Sequence, residues 1–104
     1  MKKLTLDNFD KEILSSPRVS IVDFYSPHCG PCKTVEPYFK TWSEVFTNID
    51  FFKCDASEEP ELSQRLGITS VPTFKFFRDG KPIKTQVGLL GISQLEGLIR
   101  PFNE

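Results

Sequence analysis

Two cysteines, Cys29 and Cys32, are the residues of this chain best suited to carry out chemistry. They enclose Gly30 and Pro31, and two thiols at this spacing can close a small disulfide ring or stay reduced. They follow an apolar run at positions 19–25 and precede a segment with helical periodicity. A Cys-x-x-Cys pair between a strand and a helix is typical of a redox centre. The spacing therefore predicts a pair that cycles between disulfide and dithiol.

The helix that follows gives the two sulfurs different roles. Its free N–H groups and the positive end of its dipole favour a thiolate at Cys29, which is nearer the helix N-terminus. We therefore predict that Cys29 is the nucleophile that attacks a substrate disulfide. Cys32, one turn further on, is predicted to be the resolving thiol that releases the reduced product. Pro31 suits the first helical turn, where its missing N–H costs nothing, and it stiffens the ring between the sulfurs.

The alternative use of this spacing is a structural zinc site, which needs four ligands. Only His28 and Cys54 could add to the two thiols. His28 is adjacent to Cys29, and Cys54 stands on a predicted strand with no second cysteine nearby, so we expect no bound metal and no other cofactor. Cys54 is expected to be a small buried core residue, with a regulatory thiol as the alternative.

Asp23 is an ionisable side chain inside the apolar run, six residues before Cys29. Two interpretations stay open. Either the carboxylate faces water from an edge strand, since aspartate is seldom fully buried, or it is buried near Cys32 and its pKa is raised by desolvation. In the second case Asp23 is placed to accept the proton of the resolving thiol.

Hydrophobic spacing divides the chain into short helices and strands. Asp7 is predicted to cap a first helix that ends before Pro17, and Ser93 with Glu96 to form a capping box for a last helix ending near Pro101. Between these two helices the pattern predicts a strand at 19–25, a helix from 32 to about 47, a strand at 49–54, a helix at 60–66, and strands at 73–77 and 84–87.

This order of elements, α-β-α-β-α-β-β-α, predicts an α/β fold with a central mixed β-sheet flanked by helices on both faces. The first strands are expected to be parallel and the last pair antiparallel, across the Asp-Gly turn at 79–80. Binding sites in open α/β sheets form beyond the carboxyl ends of strands, where Cys29 lies relative to Tyr25. At 104 residues the chain should form a single domain, 1–104.

Composition narrows the class of protein. An apolar fraction of 38% with ten phenylalanines indicates a globular chain. A net charge of −1 with both signs scattered argues against a nucleic-acid or membrane surface, and no apolar stretch approaches the roughly 20 residues of a membrane span. The two lysines near the N-terminus lack the apolar segment of a signal peptide. Three cysteines argue against a secreted disulfide framework, so we expect a cytoplasmic location.

These motifs together resemble the thioredoxin family over nearly the whole chain. Four segments carry the resemblance: Asp23-Phe24-Tyr25-Ser26-Pro27-His28, Cys29-Gly30-Pro31-Cys32-Lys33, Gly67-Ile68-Thr69-Ser70-Val71-Pro72-Thr73 and Phe76-Phe77-Arg78-Asp79-Gly80-Lys81. The resemblance implies the thioredoxin fold and a monomeric protein-disulfide reductase that serves cell redox homeostasis. It also implies a thioredoxin reductase as the electron donor and disulfide-containing proteins as substrates.

The resemblance further assigns residues around the two cysteines. It implies that Asp23 is the acid that serves Cys32 and that Lys53 pairs with Asp23, although a solvated lysine is equally common at such a strand position. It also implies a cis bond before Pro72, which packs beside the disulfide, whereas a cis bond is rare for proline in general. The backbone of Val71 would then bind extended substrate segments.

Three further positions stand in the same region. Gly88 and Gly91 match a family loop beside the active site, which we interpret as part of the substrate groove, with a plain turn as the alternative. His28 departs from the family pattern, which has tryptophan before the first cysteine. It is either a solvated loop residue or an imidazolium that favours the Cys29 thiolate. The departure at His28 suggests one alternative, a specialised reductant or isomerase with few partners. A thioredoxin-fold scaffold or chaperone that binds without catalysis is a second alternative.

Overall fold

A five-stranded sheet runs through the computed structural model, which describes residues 1–104. The strands are β1 (Lys2–Lys3), β2 (Val19–Tyr25), β3 (Ile49–Asp55), β4 (Thr73–Arg78) and β5 (Lys81–Val87), and the helices are α1 (Gly30–Val45), α2 (Pro60–Arg65) and α3 (Ile92–Ile99). The strand order is β1-β3-β2-β4-β5. β2 pairs in parallel with β3 and antiparallel with β4, and β4 pairs antiparallel with β5. The predicted fold class and strand directions are confirmed.

Two apolar clusters cover the two faces of the sheet. One joins the sheet to α1 and α3 and consists of Val19, Ile21, Val35, Phe39, Trp42, Phe46, Ile49, Phe51, Phe74, Phe76, Leu95 and Ile99. The other lies on the α2 side and consists of Leu4, Phe9, Ile13, Val22, Phe24, Phe52, Cys54, Leu62 and Phe77. Successive side chains of a strand alternate between faces. In β2 the odd-numbered residues therefore face α1, and Asp23 is one of them.

The N-terminal region differs from the sequence-based prediction. β1 was not predicted, because its two exposed lysines carry no hydrophobic alternation. Asp7 caps no helix; the side chain of Asn8 orders this loop instead, accepting from the N–H of Thr5 at 2.8 Å. The helical segment that follows is a single π-helical turn, Asp10–Leu14. Hydrogen bonds between a loop and its own side chains override the local helix signal here.

The last helix begins at a different residue from the one predicted. Gly91, not Ser93, is the N-cap of α3, and the N–H of Gly91 donates to Oε1 of Gln94 at 3.0 Å. Glu96 faces α1, where its Oε1 accepts from the indole N–H of Trp42 at 3.0 Å. The predicted capping motif was therefore wrong by two positions: Gln94, not Glu96, bonds back to the first residue of the helix, and Glu96 bonds to Trp42 instead.

The turn between β4 and β5 requires glycine. Asp79 and Gly80 have φ values of 52° and 77°, as expected for an Asp-Gly turn between two strands. A β-carbon at Gly80 would lie 2.6 Å from the carbonyl oxygen of Leu14. The hairpin therefore rests against the π-helical turn, and β5 begins at Lys81, three residues before the predicted position. No helix in the structure has the combined length and hydrophobicity that crossing a bilayer would need.

Candidate active site

Topology brings several loops to one edge of the sheet. β2 ends at Tyr25 and leads into α1, β4 begins at Thr73, and β5 ends at Val87. Thr73 pairs with Phe24 of β2 and with Val87 of β5, so the three strand ends lie side by side. The residues that follow or precede these ends, including the two cysteines, Pro72 and Gly88, are therefore collected at this edge.

The two cysteines form a disulfide at the N-terminus of α1. Cys29 is the N-cap, with extended φ and ψ of −100° and 111°, and Pro31 lies in the first turn. The helix begins at Gly30, two residues earlier than predicted, so Cys32 lies inside it. The Cα atoms of the two cysteines are 5.2 Å apart. The predicted redox-active pair is thus present as a closed ring.

The two sulfurs differ in exposure and in hydrogen bonding. Cys29 is partly exposed, whereas Cys32 is 3% exposed. The backbone N–H of Cys32 donates to Sγ of Cys29 at 3.2 Å. An N–H donor and the positive end of the helix dipole both favour the charged form of a sulfur. This geometry favours the thiolate at Cys29 and keeps Cys32 away from solvent.

Asp23 is buried in the central strand of the sheet. Its side chain is 5% exposed, and β2 lies between β3 and β4, so the interpretation of an edge-strand carboxylate is wrong. Oδ1 of Asp23 has no hydrogen-bond partner. The pKa of Asp23 is raised to about 7: burial is the largest cause, Glu36 adds to the increase, and Lys53 opposes it. A buried carboxyl that titrates near neutral pH has the properties of a general acid or base.

Lys53 lies on β3 in register with Asp23. Its side chain is half-buried and forms no ion pair within 4.0 Å, so the contact pair implied by the family resemblance is not formed. The ammonium group nevertheless lowers the pKa of Asp23. Lys53 therefore acts on Asp23 through space, and burial of the carboxyl outweighs it.

The loop before β4 contains a cis bond between Val71 and Pro72, as the resemblance implied. Two hydrogen bonds hold the loop: the N–H of Gly88 donates to the carbonyl of Pro72 at 2.8 Å, and Oγ1 of Thr73 donates to the carbonyl of Ser70 at 2.7 Å. The N–H and C=O of Val71 form no hydrogen bond within the protein. Val71 thus presents an unpaired N–H and an unpaired C=O on a loop that these two hydrogen bonds hold in place.

The remaining predicted site residues lie at the surface of the same region. His28 is exposed in the turn that precedes α1 and makes no hydrogen bond or ion pair. Gly88 has a φ of 82°, and Gly91 is the N-cap of α3. The positive φ of Gly88 favours glycine at that position, whereas Gly91 has a φ of −56° that any residue can adopt.

Sequence reasoning missed two carboxylates near this edge. Glu36 acts electrostatically on Asp23 from α1; its position one turn after Cys32 was the available signal. Asp55 is 4% exposed at the end of β3 and accepts hydrogen bonds from the N–H and hydroxyl of Ser57, at 2.9 and 2.6 Å. Burial alone would raise the pKa of Asp55, but the hydrogen bonds from Ser57 outweigh it and lower that pKa. An Asp-x-Ser sequence after a buried strand was the signal there.

Cys54 is fully buried in the cluster on the α2 side of the sheet. The prediction that it is a core residue is confirmed. Burial raises the pKa of the Cys54 thiol to about 12, which keeps it in the unreactive thiol form. No group of three or more His, Cys, Asp or Glu side chains is arranged to hold a metal ion.

A mixed sheet with a Cys-Gly-Pro-Cys disulfide at the start of the helix after β2 defines a thiol–disulfide oxidoreductase. A family model described as thioredoxin matches residues 1–101. The chain belongs to the thioredoxin family.

Individual relatives agree with the family match. The chain is 42% identical over 87 residues to the thioredoxin of Borreliella burgdorferi, covering 82% of this chain and 74% of that protein. It is 35% identical over 91 residues to Thioredoxin-2 of Pyricularia oryzae, of which the matched part covers only 53%. Among solved structures, a Plasmodium falciparum thioredoxin has a TM-score of 0.90 at 35% identity, covering 97% of this chain and 98% of that one. A Malassezia sympodialis thioredoxin has a TM-score of 0.89 at 31% identity, covering 99% and 93%.

Proposed function

We propose that residues 1–104 act as one monomeric, cytoplasmic domain that reduces protein disulfides with electrons from a thioredoxin reductase. The observation that carries the proposal is a partly exposed sulfur, Cys29, paired with a buried one, Cys32, on the helix that covers the sheet face of a buried carboxyl, Asp23, whose pKa is about 7. Each of these groups has the environment that its step in the exchange reaction needs.

The reaction has two exchange steps. The thiolate of Cys29 attacks one sulfur of the substrate disulfide, which forms a mixed disulfide and releases the other sulfur as a thiolate. Asp23 then takes the proton of the Cys32 thiol, and the new thiolate attacks Cys29. This attack forms the bond between Cys29 and Cys32 and releases the second substrate sulfur. Two electrons have then passed to the substrate, and the reductase restores the dithiol.

The environment of Asp23 suits the second step. A proton acceptor is most effective when its pKa lies close to the working pH. Burial and Glu36 raise the pKa of Asp23 to about 7, and Lys53 keeps it from rising further. An ordinary exposed aspartate, with a pKa about three units lower, would be fully ionised but a weak base. Burial thus provides both the base strength and the protection from water.

Substrate binding is assigned to the loop before β4. The unpaired N–H and C=O of Val71 are suited to hydrogen bonds with an extended segment of the substrate, in the manner of an added strand. The hydrogen bond from Gly88 to Pro72 holds this loop in place. We place Gly88 and Gly91 along the same groove, because both lie in the short connection from β5 to α3.

Insulin reduction with dithiothreitol tests the proposal, because separated B chains precipitate. We expect the wild type to accelerate precipitation and Cys29→Ser to abolish the acceleration. Cys54→Ala is the matched control, since it removes a thiol that lies in the core on the α2 side, and it should retain activity. A wild type that leaves the rate of the dithiothreitol reaction unchanged would instead favour a binding scaffold.

One observation favours a narrower function. His28 is exposed directly before Cys29, where the family pattern has a flat apolar indole. Loss of that surface would restrict docking of the usual reductase and substrates. Kinetics of a conventional thioredoxin reductase with wild type and His28→Trp decide between the two functions. A lower KM for the variant favours a specialised reductant, whereas equal KM values favour a general one.

A further inference from the structure

Glu36 stands beside the buried stripe of α1. It lies one helical turn after Cys32, so the two side chains share a side of the helix. Its neighbour Val35 and the residue one turn further, Phe39, are both fully buried against the sheet. Glu36 itself is exposed. Glu36 thus lies at the border between solvent and the part of α1 that packs on the sheet face containing Asp23.

The charge of Glu36 is not neutralised by a contact. It forms no ion pair, and Lys40, four residues on, pairs with Glu44 instead, at 3.9 Å. No hydrogen bond ties the carboxylate of Glu36 to a backbone or side-chain donor. Only solvent and salt therefore screen this charge.

Asp23 lies between two opposite charges. On β3 the residue in register with it is Lys53, and on α1 the nearby charge is Glu36. On β4 the residue opposite is Phe74, which is fully buried and apolar. In the reduced protein α1 also carries the thiol of Cys32, four residues before Glu36. Glu36 and Lys53 therefore act in opposite directions: Glu36 favours the protonated form of Asp23, and Lys53 favours the ionised form.

We propose that Glu36 is a positioning residue for the release step: its negative charge moves upward the pH range over which Asp23 accepts the proton of Cys32. The inference rests on the proposed role of Asp23. Glu36 takes no proton from the thiol itself. The proton passes from Cys32 to Asp23, the bond between Cys32 and Cys29 forms, and the bond between Cys29 and the substrate sulfur breaks. Glu36 acts only by disfavouring a second negative charge nearby.

Two measurements test this inference. The first is the titration of the Asp23 carboxyl carbon by NMR in the oxidised protein. The second is the rate at which Cys32 releases nitrothiobenzoate from a mixed disulfide on Cys29, followed against pH. The variants are Glu36→Gln and Lys53→Gln. Glu61→Gln is the matched control, because Glu61 is an exposed carboxylate of α2, which packs on the other face of the sheet.

Glu36→Gln should lower the midpoint of the Asp23 titration by about 0.2–0.7 pH units, the size expected of a partly screened exposed charge. The pH profile of release should move in the same direction by the same amount. Lys53→Gln should move both midpoints upward, Glu61→Gln should move neither, and Glu36→Asp should keep the wild-type values. Salt at about 1 M should shrink the Glu36→Gln shift, because it screens a charge that reaches solvent.

The outcomes separate the inference from the proposed function. An Asp23 titration that is the same in wild type and Glu36→Gln overturns the role of Glu36, even if Asp23→Asn still slows release. A titration that shifts while the release profile stays fixed overturns the role of Asp23 as proton acceptor, and with it the inference that depends on that role.

Discussion

Replacement of Asp23 by asparagine should stabilise the oxidised protein, and the gain should grow as the pH rises. The carboxyl is 5% exposed and its Oδ1 has no hydrogen-bond partner. Above its pKa the folded protein holds a charge that has lost its water and has no contact cation. Asparagine keeps the shape of the side chain without the charge, so this desolvation penalty disappears.

Linkage gives the size of the effect. Folding raises the pKa of Asp23 from 3.8 to about 7, so the folded state binds this proton more tightly than the unfolded state does. The resulting stabilisation is complete below about pH 4 and is lost as the pH rises through about 7. A difference of about three units, at about 1.4 kcal/mol each, corresponds to about 4 kcal/mol in the free energy of unfolding. The advantage of Asp23→Asn should thus grow by about this amount between pH 4 and pH 8.

Urea unfolding of the oxidised wild type and Asp23→Asn at several pH values measures this difference. The new amide adds a contribution that does not change with pH, so the slope is diagnostic rather than the value at one pH. Asp55→Asn is the matched control. Hydrogen bonds from Ser57 lower the pKa of Asp55 below its ordinary value, so its stabilisation is present at neutral pH and is lost on acidification. That variant should therefore be less stable than wild type at neutral pH. An Asp23→Asn advantage that is equal at pH 4 and pH 8 would refute the reasoning, because it would mean that Asp23 ionises as freely in the folded state as in the unfolded state.

Three further predictions concern the reacting sulfurs, the residue before them and the β4–β5 turn. Cys32→Ser should accumulate stable mixed disulfides with substrates on non-reducing gels, and Cys29→Ser should form none. Faster alkylation of Cys32 than of Cys29 in the reduced wild type would reverse the two roles. If His28 supports the thiolate, His28→Trp should reduce the thiolate absorbance of Cys29 at mildly acid pH, and superimposable pH curves would make His28 a simple loop residue. Gly80→Ala should lower the free energy of unfolding by more than about 2 kcal/mol, because backbone strain adds to a clash with the carbonyl of Leu14. Gly67→Ala, at a similar φ of 73° but with open space around it, should lower it by only about 1–2 kcal/mol. Equal losses of the two variants in urea unfolding would exclude the clash.

Local patterns were sufficient for most of the fold. β2 and β3 were predicted because they are short segments rich in β-branched and aromatic residues. The turn at Asp79 and Gly80 was predicted because few residue types adopt positive φ. The prediction failed where a local signal competed with a distant partner. Ser93 resembles a helix cap, but Glu96 bonds to Trp42 on another helix, and Gln94 bonds back to Gly91, where α3 is capped. β1 is too short and too polar to produce any signal by itself.

The sequence by itself determined the chemistry of this protein: two thiols at the spacing of a reversible disulfide, placed between a strand and a helix. Their order along the chain also determined which sulfur lies nearer the helix N-terminus. Only the tertiary structure decided the state of Asp23, since whether β2 is an edge or a central strand depends on which strands pair with it. Burial of Asp23 beneath α1, with Lys53 on one side and Glu36 on the other, then sets its pKa. Desolvation depends on every atom packed around a group, and those atoms come from distant parts of the chain.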